Sequence, residues 1–326
     1  MQYRALGRTN LKVSEIGYGC WGLGQDEWQG GDRDDIRKSL RLAFDRGVNF
    51  YDTALAYGNG TSETLIADLA KDVGRDNLII ATKIPPKNSM WPAACGAPFR
   101  EVFPKDHIRA CAEKSLAYLK TDAIDLLQLH VWQDEWLEHT EWQEELRKLK
   151  QEGKVKFIGV SVNDHDPTSA LLLAQHKIAD VLQVIYNIYD PSPADALLDL
   201  CKADNVGIIA RVPFDEGALT GTITAKTTFP KGDFRNSYFS GDRLLQVEEK
   251  AKQLTDLLGT EAKTLPELAL RFCLSHQAVS TVIPGMRKPA HVESNTSVSD
   301  GRLLSSELLS KLTAYAWSKN FYSSLH

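Results

Sequence analysis

The chain has 326 residues, with 43% hydrophobic and 25% charged, and carries a net charge of −5. That is ordinary globular usage with ample material for a full core, and the negative balance gives no reason to expect nucleic acid or an anionic membrane as a partner. No apolar run approaches the roughly 20 residues needed to span a bilayer, and the opening MQYRALGRTNLKV lacks the continuous apolar stretch of a signal peptide. Five cysteines, Cys20, Cys95, Cys111, Cys201 and Cys273, are dispersed without a CxxC, which reads as reduced thiols in a cytoplasmic protein.

In chain order, Tyr3–Leu6 and Lys12–Ile16 flank Gly7-Arg8-Thr9-Asn10 and predict a short β-hairpin. A strand over Glu15–Gly19 follows, then a helix over Asp34–Arg46 with Ile36, Leu40, Ala43 and Phe44 at helical spacing. The next strand, from Val48, ends on Asp52. Its loop carries Tyr57 and Gly58-Asn59-Gly60 before a helix over Ser62–Lys71. Strand Asn77–Lys83 leads into a Pro-rich loop, Ile84–Pro104, and a helix bearing Ile108, Cys111, Ala112, Leu116 and Leu119 on one face. Strand Ala123–His130, helix Thr140–Glu152, strand Val155–Val162, helix Pro167–Gln175, strand Asp180–Tyr186 and a helix near Ala194–Ala203 continue the alternation. Strand Gly207–Arg211 opens a loop, Val212–Gly241, that is too long for a simple connection. Helices Leu244–Leu258 and Pro266–Ser275, strand Ser280–Ile283, and helices Pro289–Ser297 and Ser306–Trp317 complete the chain.

Strand and helix thus alternate about eight times with no interior linker. Short strands rich in Val, Ile and Leu imply a parallel sheet covered by helices. The expectation is an α/β fold, a single (β/α)8 TIM barrel over 1–326 with an N-terminal β-hairpin and extra C-terminal helices. An open doubly wound sheet is the alternative.

Barrels of this kind place chemistry at the C-terminal ends of their strands. Those ends offer Asp52, Tyr57, Lys83, His130, Ser161 and Asn163, with Gln183 inside the sixth strand and Arg211 ending the seventh. A lone strand-end histidine or lysine is usually structural or solvated. Three consecutive junctions with titratable groups are not ordinary decoration. An ammonium at Lys83, oriented by Asp52, would favour the Tyr57 phenolate, and His130 would bind the substrate oxygen. Such a group gives a proton to a carbonyl or takes one from an alcohol, and the accompanying hydride must come from a cofactor.

DTALAYGNG with ETLIADLAK, IIATK, DLLQLH, IGVSVND, LQVIYN and VIPGMRKPAHVESN together resemble the aldo-keto reductases over nearly the whole chain. The resemblance implies NAD(P)H-dependent interconversion of carbonyl and alcohol without a metal, and a catalytic tetrad of Asp52, Tyr57, Lys83 and His130. It implies carboxamide contacts from Ser161, Asn163 and Gln183, and first-strand contacts from Gly19, Cys20 and Trp21. Arg211 stands where many relatives stack an aromatic ring on the nicotinamide. Val212-Pro213-Phe214-Asp215-Glu216-Gly217 replaces the usual S-P-L-G-x-G cofactor loop, so its contacts fall on Pro213 and Phe214.

Gly17-Tyr18-Gly19-Cys20-Trp21-Gly22 matches a dinucleotide fingerprint, yet about ten mostly polar residues separate it from helical periodicity. The phosphate site is better placed at Gly285-Met286-Arg287-Lys288, ahead of a helix that opens on Pro289. Arg287 and Lys288 suit the 2′-phosphate of NADP, so NADPH is the expected cofactor, with NAD possible. The resemblance adds Asn295 near the adenine. His291 and Ser294 replace the Arg and Glu of many relatives around the adenosine. Trp21, Trp91 and Trp132, with Phe99, are candidates for a substrate pocket. The expected partner is a small-molecule carbonyl, and the sequence does not give the oligomeric state. Two other readings share the barrel: a cofactor-binding regulatory subunit like the channel-associated members, and a Schiff-base aldolase using Lys83.

Overall fold

The computed structural model describes residues 1–94 and 96–318. Cys95 lies outside the described residues, and the other four cysteines are free and buried. Strands β1 (Tyr3–Ala5) and β2 (Lys12–Ser14) pair antiparallel as the expected hairpin. Its residues Leu6 and Val13 pack in one apolar cluster with Phe50, Ala81, Leu126, Val181 and Ile209, which come from five barrel strands. The hairpin therefore plugs the barrel end opposite the strand C-termini, and removes about ten residues of apolar surface from water.

Eight parallel strands follow: β3 (Tyr18–Gly19), β4 (Phe50–Asp52), β5 (Ile79–Ile84), β6 (Ile124–Leu129), β7 (Val155–Ser161), β8 (Val181–Ile185), β9 (Gly207–Arg211) and β10 (Val279–Val282). They neighbour one another in sequence order. The first and last meet through parallel bridges Ile16↔Val282 and Gly19↔Gly285. Hydrogen bonds from Gly17 N–H to Val282 O (2.8 Å) and from Gly19 N–H to Pro284 O (3.0 Å) join the two edges. This is the closed (β/α)8 barrel that the strand and helix alternation predicts.

The glycines of the apparent dinucleotide fingerprint belong to this closure. A Cβ on Gly19 would stand 2.5 Å from Ile283 O, and one on Gly22 would stand 2.7 Å from Arg287 Cδ. Close approach of strand to strand and of backbone to a side chain explains both glycines without a phosphate.

Local chemistry starts the helices where the pattern predicts. The Asp32 carboxylate accepts from the N–H groups of Asp34 and Asp35, opening helix Arg33–Asp45. Thr264 caps helix Leu265–Ser275, which carries Pro266 in its first turn. Several boundaries differ from the sequence reading, two of them near the site or the C-terminal end. The long loop after β9 holds a 3-10 segment, Asp215–Thr220, and a short helix, Arg235–Tyr238. The last helix ends at Thr313, because Trp317 turns away to dock: its N–H donates to Tyr189 O (2.7 Å), and the Arg243 guanidinium lies 4.0 Å from its ring centroid. Among the described residues, no helix is long and apolar enough to cross a membrane.

Candidate active site

Asp52 is the last residue of β4, and Lys83 lies near the end of β5, so their side chains emerge at neighbouring strand ends. Lys83 Nζ donates to Asp52 Oδ1 (2.6 Å) and to Thr53 O (2.8 Å). The other donors to that carboxylate are Gln183 Nε2 on Oδ1 (3.1 Å) and Gln128 Nε2 on Oδ2 (3.3 Å). Asp52 is 2% exposed and Lys83 1%, so this ion pair is removed from water. Burial lowers the Lys83 pKa, and the Asp52 carboxylate opposes that shift.

Tyr57 sits on the turn that the glycines open after β4. Its ring meets His130 edge-on at 5.8 Å between centroids, and Lys83 Nζ lies 5.1 Å from its ring centroid. Burial raises the phenol pKa well above the ordinary value, and Asp52 raises it further, whereas Arg211 lowers it. The sequence reading has Lys83 favouring phenolate. The structure differs, because Asp52 engages the ammonium at 2.6 Å and burial outweighs what remains. The phenol is consequently protonated at neutral pH. Burial first, then the Lys83 and Arg211 cations, push the His130 pKa well down, so its imidazole is neutral. Its Nδ1 is buried with no hydrogen-bond partner. The Trp91 ring stands edge-on to His130 at 4.4 Å, forming part of the rim.

These four residues line one end of a cavity of about 880 Å³. Gly19, Cys20 and Trp21 line it from the end of β3, and Ser161, Asn163, Gln183 and Arg211 from β7 to β9. Gln183 Oε1 is buried without a partner. The Asn163 amide is already paired with the Trp132 backbone, accepting from its N–H (3.3 Å) and donating to its C=O (2.7 Å). Pro213, Phe214 and Gly285 continue the wall, and Arg287, His291, Ser294 and Asn295 close its far end. Arg287 is half buried. Its Nη1 donates to Trp28 O and Gln29 O, both at 3.1 Å, which ties the last barrel loop to the loop after β3.

Four expected contacts are corrected. Trp132 is fully buried away from the cavity: its indole N–H donates to Ser169 O (2.9 Å), and its ring packs against Trp136 and Trp142. Phe99 is likewise buried, against Phe103 and Trp136. Met286 is a core side chain whose carbonyl accepts from Tyr18 Oη (2.8 Å). Lys288 is exposed outside the cavity, at the cap position of helix Pro289–Ser297. In each case residue type and place along the chain suggested the contact, and tertiary packing decided the side chain's direction.

Other liners escaped the sequence reading. Arg235, from the long loop, lines the same cavity. It is held by Asp233 (2.8 Å) and lies over the Trp28 ring at 4.3 Å. The loop's unusual length was the signal for it. Glu216 also lines the cavity, with a left-handed φ of 56°. Burial first, then the Asp215 and Asp164 carboxylates, push its pKa up to about 8. A folded pKa above the unfolded 4.5 means stability is lost as pH rises between those values. We expect Glu216→Gln to raise Tm, with a larger gain at pH 9 than at pH 5. Thermal melts at the two pH values check this, and a gain independent of pH would contradict it.

Among the described residues, no group of three or more His, Cys, Asp or Glu stands where it would hold a metal ion. The parallel barrel carries a buried acid, phenol, ammonium and imidazole together at its strand ends, an arrangement chemically able to transfer a proton. A model of the Aldo/keto reductase family matches residues 15–316. The chain belongs to that family. It is 31% identical to the aldo-keto reductase YhdN of Bacillus subtilis (strain 168), over 94% of this chain and 91% of that one. It is 29% identical to the NADH-specific methylglyoxal reductase of Escherichia coli (strain K12), over 90% of this chain and 91% of that one. The glycerol dehydrogenase AKR11B4 of Gluconobacter oxydans aligns with a TM-score of 0.78 at 25% identity, over 96% of this chain and 94% of that one. At the level of the family, the protein is an oxidoreductase of the carbonyl-reductase type that uses a nicotinamide cofactor and acts on small molecules.

Proposed function

We propose that this protein reduces an aldehyde or ketone with NADPH, Tyr57 giving the proton to the substrate oxygen. The observation that carries this reading is the convergence of a protonated phenol, a neutral imidazole and a buried Asp52–Lys83 pair at one end of a single long cavity. The neutral His130 orients the substrate oxygen beside Tyr57 Oη. Lys83 anchors the Tyr57 ring and offsets the negative charge that develops when the proton leaves. Asp52 and its amide donors hold Lys83 in place.

The cavity fits a nicotinamide cofactor on two counts. Gln183 Oε1 is a buried acceptor without a partner, as a carboxamide requires, and two cations, Arg287 and Arg235, line the opposite end. Ser161, Asn163 and Gln183 would hold the carboxamide, Arg211, Pro213 and Phe214 the adjoining part, and Arg287, His291 and Asn295 the adenosine phosphate end. When bound, the cofactor supplies the hydride that no side chain can. The barrel would act as one domain over 1–326, in the cytoplasm, consistent with its free thiols. Tyr57→Phe tests the proton donor.

The preference for NADP(H) rests on Arg287 inside the cavity, with Lys288 at the helix start outside it. A charge-assisted phosphate contact contributes about 1.5–3 kcal/mol, which is tenfold or more in affinity. We expect Arg287→Ala/Lys288→Ala to bring the Kd values of NADPH and NADH near parity by weakening NADPH. Fluorescence titration of both cofactors checks this. A parent that binds both equally, or a double variant with its preference intact, would place the phosphate elsewhere. Because Arg287 and not Lys288 lines the cavity, Arg287→Ala alone should carry most of the effect.

A further inference from the structure

Arg211 ends β9, beside the strand that carries Gln183, and its guanidinium faces the same cavity as Tyr57 and His130. A guanidinium keeps its charge at every working pH, so a fixed cation stands within the electrostatic reach of the reacting groups. Its only ion-pair partner among the described residues is Asp164, which accepts from Nη2; Val162 O accepts from the same nitrogen (3.0 Å). Arg211 Nε is buried without a partner, so one carboxylate answers the whole charge. Asp164 belongs to the loop after β7 and also lines the cavity. Of the other charges lining the cavity near it, Lys83 and Asp52 are paired with each other, and burial pushes the Glu216 pKa up to about 8, which leaves it mostly neutral at pH 7.

The two redox states of a nicotinamide differ by one positive charge on the ring, while their phosphates are the same. A bare cation beside the ring disfavours the oxidised form and leaves the reduced form nearly untouched. A carboxylate that masks the cation relieves that penalty. We propose that Asp164 is a positioning and charge-masking residue, which acts through Arg211 to set the cavity's relative affinity for oxidised and reduced cofactor. This rests on the reading that the ring lies at the Ser161–Gln183 end of the cavity.

The test measures Kd for NADP⁺ and NADPH at pH 7 in the parent, Asp164→Asn, Arg211→Gln and the double variant. Asp164→Asn should weaken NADP⁺ relative to NADPH by about tenfold, a typical strength for a partly screened charge contact in a cleft. Arg211→Gln leaves Asp164 bare and should shift the ratio the opposite way. The double variant should return close to the parent ratio. A structural role for the pair would weaken both cofactors together, so the ratio separates the two accounts. If each single variant melts cooperatively, binds both cofactors and keeps the parent ratio within twofold, the masking role is wrong. The same holds if the two single variants shift the ratio in one direction. If the parent binds neither NADP⁺ nor NADPH, the NADP reading fails, which is a different result, and the same ratio is then read with NAD⁺ and NADH.

Discussion

Replacing Tyr57 by Phe is expected to lower kcat for carbonyl reduction by about 10²–10⁴-fold or more while leaving cofactor Kd nearly unchanged. The ring would stay: its edge contact with His130 and the Lys83 ammonium near its face depend on the aromatic carbons and not on the hydroxyl. Only the transferable proton is lost, and that proton matters only in the transition state. The phenol pKa lies above the ordinary 10.0, so reduction should hold its rate through neutral pH and decline only on the alkaline side of that value. Activity within a few-fold of the parent would remove Tyr57 from its role. A large fall in cofactor affinity would instead mean that the phenol builds the binding site. Steady-state kinetics and a fluorescence titration on the same preparation separate these outcomes.

The parts of this site that the sequence made legible are those fixed by strand periodicity. A side chain at the end of a buried strand has one way to go, so Asp52 and Lys83 could be placed together before any contact was known; Gln183, inside its strand, came from the resemblance. Loop residues carry no such constraint. Trp132 follows the end of β6 by only a few positions, but the apolar packing available beside Trp136 and Trp142 draws it inward. Arg235 lies about 24 residues beyond β9, and only the fold of the long loop brings it back over Trp28. The direction of the Tyr57 pKa shift differs from the sequence reading for a related reason. A pairwise argument from Lys83 leaves out desolvation, which becomes visible only when burial is known and here is the largest cause of the shift.

The second large effect is expected at Lys83, where catalysis and stability can be pulled apart. Lys83→Met should cut kcat by about as much as Tyr57→Phe, because the cation that offsets charge on the departing phenol proton's oxygen is gone. It should also destabilise the protein by about 3–5 kcal/mol, since the Asp52 carboxylate would be left buried with only amide donors. Adding Asp52→Asn removes that stranded charge. Lys83→Met/Asp52→Asn should therefore recover most of the lost stability and none of the lost rate. Denaturant melts and kcat on the three proteins test this. If the double variant regains activity along with stability, Lys83 serves only to hold the fold. Borohydride treatment during turnover provides the remaining discrimination. The ammonium is engaged by Asp52 Oδ1 at 2.6 Å and Thr53 O at 2.8 Å, a poor arrangement for attack on a carbonyl carbon, so no substrate adduct on Lys83 is expected. An adduct at that residue would replace the reductase mechanism with Schiff-base chemistry on the same barrel.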